Sequence, residues 1–403
     1  MLLRPRLLLP LCLAGSLALA CAAPASASEK SIWGPTPNYP AGNQNCPTSA
    51  ACSVFPTYAQ LGVQNVQLQI PWDRVALTRP ANPRDPDDPA YTWPSYGDSM
   101  VQQAAQYGMT LTVLVQGTPA WANGGKGRQW VPDNVQDYAD FMYAISRRYP
   151  TIQRWMIWGE VNFGANFQPM PPHSPVGPRA YALLLDAAYG ALKAANPNNI
   201  VIGGDTLNVD TPVSLGEFIR WARVGTGKKQ RPPRLDWWGH NPFEGRFPNL
   251  ASTPARKFLG LSDADTIHKL LKRAYVGKKT RKHKRRKVRS AAHLSKRAAH
   301  VAKGKGKKKK KRRRVTPPLW FSEYSVLSGH AARFWYGFHV TEEEQAAWLA
   351  AAYRLVDGLP YVKGLGWYRL DDEPETIAKS ADWGLVRYTG EQKPSFAAYE
   401  AAP

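Results

Sequence analysis

Short apolar segments of strand length recur eight times along this chain, each separated from the next by a stretch of helical periodicity. That alternation restricts the fold more than any other feature. The segments are Ser31 to Gly34, Val63 to Ile70, Thr110 to Gln116, Arg154 to Trp158, Ile200 to Gly204, Leu235 to His240, Leu319 to Ser322 and Gly364 to Tyr368. Helical periodicity fills the gaps, as in Asn134 to Arg148, Pro178 to Asn196, Leu215 to Val224 and Glu342 to Val356. Eight such units predict an α/β fold, the (β/α)8 TIM barrel. The 403 residues, 43% of them hydrophobic, are enough for one such domain with a large core. The first strand and first helix are the least marked, because the sequence around Cys46 and Cys52 is rich in Pro, Asn and Ser.

Two of the apolar runs end in a glutamate: Trp155-Met156-Ile157-Trp158-Gly159-Glu160 and Leu319-Trp320-Phe321-Ser322-Glu323. A carboxylate just beyond a buried strand stands at the C-terminal mouth of a barrel, where such folds place their chemistry. Cleaving an acetal needs a proton for the leaving oxygen and a second carboxylate to meet the developing oxocarbenium ion. Glu160 and Glu323 are therefore candidate catalytic residues for hydrolysis of glycosidic bonds in oligo- or polysaccharides. The fifteen tryptophans suit the same purpose, since a flat apolar face with one N–H donor stacks on sugar rings, although many serve equally well as core. Phe334, Trp335, Tyr336 and Phe338, which follow His330 after the seventh strand, are candidates for either role.

The N-terminus reads as an export signal over residues 1–27: Arg4 and Arg6, an apolar run from Leu7 to Ala20, then Ala25-Ser26-Ala27 as a cleavage site. Lipidation at Cys21 and an uncleaved anchor are the alternatives. The domain proper then spans residues 28–403, secreted or associated with the cell surface. Cys46 and Cys52 remain as an even pair in that region, and export favours a disulfide between them over two buried thiols. A lone C-x5-C pair is a poor metal site, and none of the eight histidines sits in an H-E-x-x-H pattern, so neither a metal nor a cofactor is expected.

A basic block from Lys272 to Arg314 interrupts the barrel pattern between the sixth helix and the seventh strand. It holds 23 of the 53 Lys and Arg residues and no Asp or Glu, so the remaining 30 basic residues balance the 30 acidic ones. The formal charge of +23 belongs to this insert alone. With little aliphatic periodicity it cannot offset its ordering entropy by burial and is expected to be disordered. Dense positive charge associates with polyanions through counterion release. Nucleic acid, an anionic cell-wall polymer and an anionic membrane surface are the candidate partners; export and a single aromatic, Tyr275, disfavour nucleic acid, the wall polymer is preferred, and the block is otherwise a solvated loop.

At this level of detail the motifs resemble a known group. Trp158-Gly159-Glu160-Val161-Asn162 is similar to the strand-four W-N-E-P-N signature of the clan A glycoside hydrolases. Trp320-Phe321-Ser322-Glu323-Tyr324 is similar to their strand-seven W-x-T-E-[FY] signature. Gly117 to Trp121, Asp236 to Pro242 and Gly366-Trp367-Tyr368 resemble further strand ends of the group, which includes β-xylosidase-like and cellulase-like families. The resemblance implies a retaining double displacement, with Glu160 as acid/base, Glu323 as nucleophile, and their carboxyl groups about 5 to 5.5 Å apart. On that mechanism Glu160 has a raised pKa and Glu323 an ordinary one. Trp121, Asn162, His240, Tyr324 and Trp367 become candidate substrate-binding residues.

The chain departs from that pattern at two positions. Gly159 stands where the group carries Asn, and Gln67 where it carries an Arg on strand two, near the nucleophile. These departures admit altered specificity or slow turnover. They also admit a non-catalytic, carbohydrate-binding or wall-associated barrel, or a barrel that mainly carries the polyanion-binding insert.

Overall fold

The computed structural model describes residues 28–34, 53–208, 211–250, 258–277, 315–328, 338–372 and 382–403. The expected signal segment, Cys46 and Cys52, the group His330, Phe334, Trp335 and Tyr336, and the insert from 278 to 314 lie outside the described residues.

Eight strands form the sheet: β1 (Glu29–Trp33), β2 (Asn65–Pro71), β3 (Thr110–Gln116), β4 (Arg154–Ile157), β5 (Ile200–Leu207), β6 (Trp237–Asn241), β7 (Leu319–Tyr324) and β8 (Val362–Trp367). They pair in chain order, all parallel, and β8 pairs back onto β1 to close the barrel. Around it run α1 (Phe55–Gln60), the short α2 (Trp72–Val75), α3 (Ser95–Gln106), α4 (Val135–Arg148), α5 (Val176–Ala195), α6 (Leu215–Trp221), α7 (Ala264–Tyr275), α8 (Glu342–Asp357) and α9 (Pro394–Glu400). The expected (β/α)8 barrel is the observed fold, each strand lying within a few residues of its expected place.

Side chains cap the helices where the sequence offers them. Asn134 accepts from the Gln136 backbone N–H ahead of α4 at 3.0 Å, and reciprocal capping boxes, Ser214 with Glu217 and Thr341 with Glu344, open α6 and α8. Buried phenols then tie helix to sheet. Tyr138 of α4 donates to the Val115 carbonyl and Tyr181 of α5 to the Ile157 carbonyl, each at 2.7 Å.

Trp33, Leu114, Met156, Ile202 and Trp320 pack together inside the barrel. At its N-terminal end Arg154, which opens β4, forms a two-pronged ion pair with Glu29, which opens β1. The Arg154 guanidinium lies 5.3 Å from the ring centre of Trp237, which stacks on Trp320 at 5.6 Å. This plug leaves the C-terminal ends of the strands as the open mouth.

Three details differ from the sequence reading. First, β5 runs on to Leu207 and β7 to Tyr324, so Glu323 lies within its strand rather than one step beyond it. Second, strand register shifts between Gly203 and Thr206 and again between Phe321 and Tyr324. Such irregularities break the two-residue alternation and re-aim side chains. Third, Lys272 to Tyr275 form the last turn of α7, with Tyr275 packed against the core, so the departure from barrel structure begins later than Lys272. The chain re-enters at Val315 ahead of β7, which puts both ends of the insert at the barrel end opposite the mouth. Among the described residues no helix is long and apolar enough to cross a membrane.

Candidate active site

Glu160 lies three residues past the end of β4, in a loop that closes on itself. Trp158 and Glu160 both adopt left-handed backbone, φ 65° and 47°, a conformation held at some cost only where the surroundings enforce it. The Trp158 indole N–H donates to the Asn166 carbonyl at 2.7 Å, and the Asn166 side-chain amide donates to Glu160 Oε2 at 2.7 Å. From β6, Asn241 Nδ2 donates to Glu160 Oε1 at 3.3 Å. Burial raises the Glu160 pKa, and the two amide donors oppose that rise.

The Glu323 carboxyl has no hydrogen-bond or ion-pair partner among the described residues. Burial, and after it the charges of Glu160 and Asp205, push its pKa well above the ordinary carboxylate range. The expectation of an ordinary value for Glu323 is thereby corrected. Gln67 lies beneath Glu323, fully buried inside the barrel. Its Oε1 accepts from the Trp320 indole at 2.9 Å and its Nε2 donates to the Ser322 carbonyl at 2.5 Å, so it braces the strand beneath Glu323 and brings no charge to it.

A third carboxyl, missed in the sequence, completes the group. Asp205 sits at the irregular end of β5 with φ 33° and 1% exposure. Its Oδ1 meets the Ser322 hydroxyl, which also lies 2.7 Å from Asn241 Oδ1. The Glu160 backbone N–H also bonds to this carboxyl. Burial first, then the Glu160 charge, raise Asp205 to about 7. Asp205 also helps to explain Gly159. A Cβ at that position would come within 3.2 Å of Leu114 Cδ2, 3.3 Å of Gln116 Oε1 and 3.5 Å of Asp205 Oδ2, so neighbouring strands fill the space a side chain would take.

Because Asp205 titrates higher folded than unfolded, its contribution to stability is fully present below the unfolded value of 3.8 and is lost as pH rises through about 7. Asp205→Asn removes that loss. We expect the variant to gain a few kcal/mol over the parent at pH 8 and little at pH 4, measured by urea unfolding at both pH values.

The remaining sequence candidates divide. Asn162 is buried and its amide is consumed by backbone: Nδ2 donates to Leu207 and Val213 carbonyls at 2.7 and 3.1 Å, and Oδ1 accepts from the Leu207 N–H at 2.8 Å. His240 is likewise buried, Nδ1 meeting the Thr206 hydroxyl at 2.9 Å and Nε2 the Leu259 carbonyl at 3.0 Å, and burial lowers its pKa to about 4. Both residues hold strand ends in place rather than facing a ligand. Tyr324 and Trp367, fully buried, meet edge to face at 6.1 Å in the layer between sheet and helices. The chain neighbours of His240 and Trp367 face the mouth instead: Asn241, which ends β6, and Tyr368, just past the end of β8. Tyr368 packs against both the barrel interior and a mouth cluster of Leu207, Phe243, Leu327 and Trp383. Trp121 donates its indole N–H to the Ala76 carbonyl and carries the Arg79 guanidinium 4.4 Å over its ring. Phe338 packs on Trp348 at 5.3 Å.

No protein-family model matches the chain, and no curated protein does. Solved structures do. A family 39 glycoside hydrolase from Bacteroides cellulosilyticus is similar at a TM-score of 0.59 and 16% identity, over 93% of this chain and 63% of that protein. A glucosidase from Croceicoccus marinus gives 0.60 and 15%, over 93% and 66%. A monomeric β-xylosidase from Caulobacter crescentus gives 0.55 and 17%, over 93% and 67%. The chain thus spans slightly less than two thirds of the first two proteins. At these identities the likeness establishes the architecture, and the chain has the (β/α)8 barrel fold of these glycoside hydrolases.

Proposed function

We propose that the protein hydrolyses glycosidic bonds by double displacement, with Glu323 as nucleophile and Glu160 as general acid and base. The observation that carries this reading is the placement of two part-buried glutamates at the mouth ends of β4 and β7, close enough that the charge of Glu160 raises the pKa of Glu323. One charge opposes the second, so the pair retains a proton over a pH range in which separate carboxylates would both be ionised. A pair holding one proton has what the reaction needs, an acid for the leaving oxygen and an anion for the anomeric carbon.

The resting site favours the wrong allocation. Asn166 and Asn241 donate to Glu160 and stabilise its anion, whereas Glu323 receives no donor among the described residues. A bound sugar corrects this if one of its hydroxyls donates to Glu323, so the substrate itself sets the nucleophile's charge. The competing reading, a barrel that binds carbohydrate without cutting it, is favoured by the same missing donor. Proton NMR of the first-formed product from aryl β-xylosides and β-glucosides, the sugars suggested by the names of the structural relatives, separates the two. Release of the β-anomer supports double displacement; release of the α-anomer rejects it, and saturable binding without release supports the binding-only barrel.

Export and an anionic wall polymer as partner of the basic block belong to the same proposal. The insert leaves and re-enters at the end away from Glu160 and Glu323, and charge is screened within about 8 Å at physiological salt. Deleting Lys278 to Arg314, which spares Tyr275, is expected to leave kcat/KM on a small neutral glycoside within about twofold while flattening the salt dependence of binding to teichoic-acid-type polymer. Lost turnover in a folded deletion variant would place the block at the active site.

A further inference from the structure

Four side chains at the mouth form a line: Asp205, Ser322, Asn241 and Glu160. Ser322 has one hydroxyl proton, yet its Oγ faces two oxygens, Asp205 Oδ1 and Asn241 Oδ1. With Asp205 ionised and Asn241 oriented as observed, one of those contacts would contain no proton. The line is satisfied when Asp205 is the neutral acid: it donates to Ser322, Ser322 donates to Asn241 Oδ1, and Asn241 Nδ2 donates to an ionised Glu160. A second arrangement also satisfies every group. If the Asn241 amide turns over, Asp205 is the anion accepting from Ser322, Ser322 accepts from Asn241 Nδ2, and Glu160 is the acid donating to Asn241 Oδ1.

We propose that Asp205 is a positioning residue whose protonation is tied to that of Glu160 through this two-state line, making Glu160 a base when Asp205 is neutral and an acid when Asp205 is ionised. The inference rests on the reading of Glu160 as acid/base. The exchange is balanced. One proton passes from Asp205 to solvent and one from solvent to the part-exposed Glu160, the Asn241 amide turns over, and the pair's charge is unchanged. Both arrangements are needed in one double displacement, the acid form when the leaving group departs and the base form when water attacks. Other titratable groups around Asp205 do not compete for that proton. From β6, His240 is held neutral between Thr206 and Leu259; from α5, Tyr181 donates to the Ile157 carbonyl and accepts the Gly204 N–H. From β7, Glu323 adds like charge, which disfavours ionising Asp205 and Glu160 together.

Asp205→Asn tests this, because the amide fits the line in either sense but holds no exchangeable charge. In the parent, loss of the shared proton ends acid catalysis only at the high pH where both carboxyls must ionise. In the variant Glu160 titrates without the Asp205 charge, with only Glu323 beside it. The alkaline limb of kcat/KM on a glycoside with a poor leaving group should therefore move down by about one pH unit or more, and no such shift should appear with an activated aryl leaving group. An unshifted limb at reduced activity would mean a merely structural role and overturn the proposal. A second measurement stands apart from turnover. Infrared spectra of parent enzyme labelled at aspartate carboxyls should show a neutral-acid carbonyl band at pH 6 that is missing in Asp205→Asn. Absence of that band from the parent would overturn the proposal even if the enzyme cleaves glycosides; its presence in a protein that cleaves none would sink the hydrolase reading and leave the proton line standing.

Discussion

Glu323→Gln is expected to lower kcat/KM on an activated aryl glycoside by about 10⁴-fold or more, because an amide oxygen cannot form and release the glycosyl ester on which double displacement depends. The substitution is nearly isosteric and breaks no hydrogen bond among the described residues. It also removes one of three mutually repelling carboxyls, Glu160, Asp205 and Glu323, at the mouth. The variant should consequently be at least as stable as the parent above neutral pH, with Glu160 ionising at lower pH. A loss of activity accompanied by a loss of stability would point to misfolding instead. The pair of measurements, turnover and thermal unfolding at pH 8, distinguishes the two.

The second large effect belongs to Glu160. Glu160→Gln should cost about 10²- to 10⁴-fold with alkyl or sugar leaving groups, the range of general acid catalysis, and far less in the glycosylation step with a dinitrophenolate, which departs without a proton. With the activated leaving group the slow step becomes deglycosylation, since no base remains to activate water. An initial burst of phenolate followed by a slow steady rate is the expected time course. Uniform loss across leaving groups would remove Glu160 from the acid/base role and leave it a residue that shapes the loop through Asn166 and Trp158.

Which parts of this arrangement were legible in the sequence follows from how far each signal travels along the chain. Strand and helix periodicities are local, and so all eight strands of the barrel, and the position of Glu160 and Glu323 at the mouth ends of two of them, could be read directly. The misses are questions of side-chain parity. His240 and Asn241, or Trp367 and Tyr368, are adjacent in sequence but point to opposite faces of a strand, and a one-residue error exchanges core for mouth. The register shifts between Gly203 and Thr206 and between Phe321 and Tyr324 depend on how neighbouring strands pair, which no segment encodes alone. Asp205 was hidden for that reason: its strand was read as ending at Gly204, one residue short of it. The departures at Gly159 and Gln67 were visible as letters. Their consequences were not, because the space at Gly159 is filled from β3 and β5 and the Gln67 amide is committed to Trp320 and Ser322, all distant in sequence.

The most direct test of the account is covalent. Incubation with a 2-deoxy-2-fluoro glycoside bearing a good leaving group slows both steps and lets the glycosyl ester accumulate. Proteolysis and tandem mass spectrometry then locate the sugar. The account predicts one fluorosugar per chain, on the peptide containing Leu319 to Tyr324 and carried by Glu323. A sugar carried by Glu160 or Asp205, or no adduct from a fluoroglycoside whose parent sugar the enzyme turns over, would contradict it.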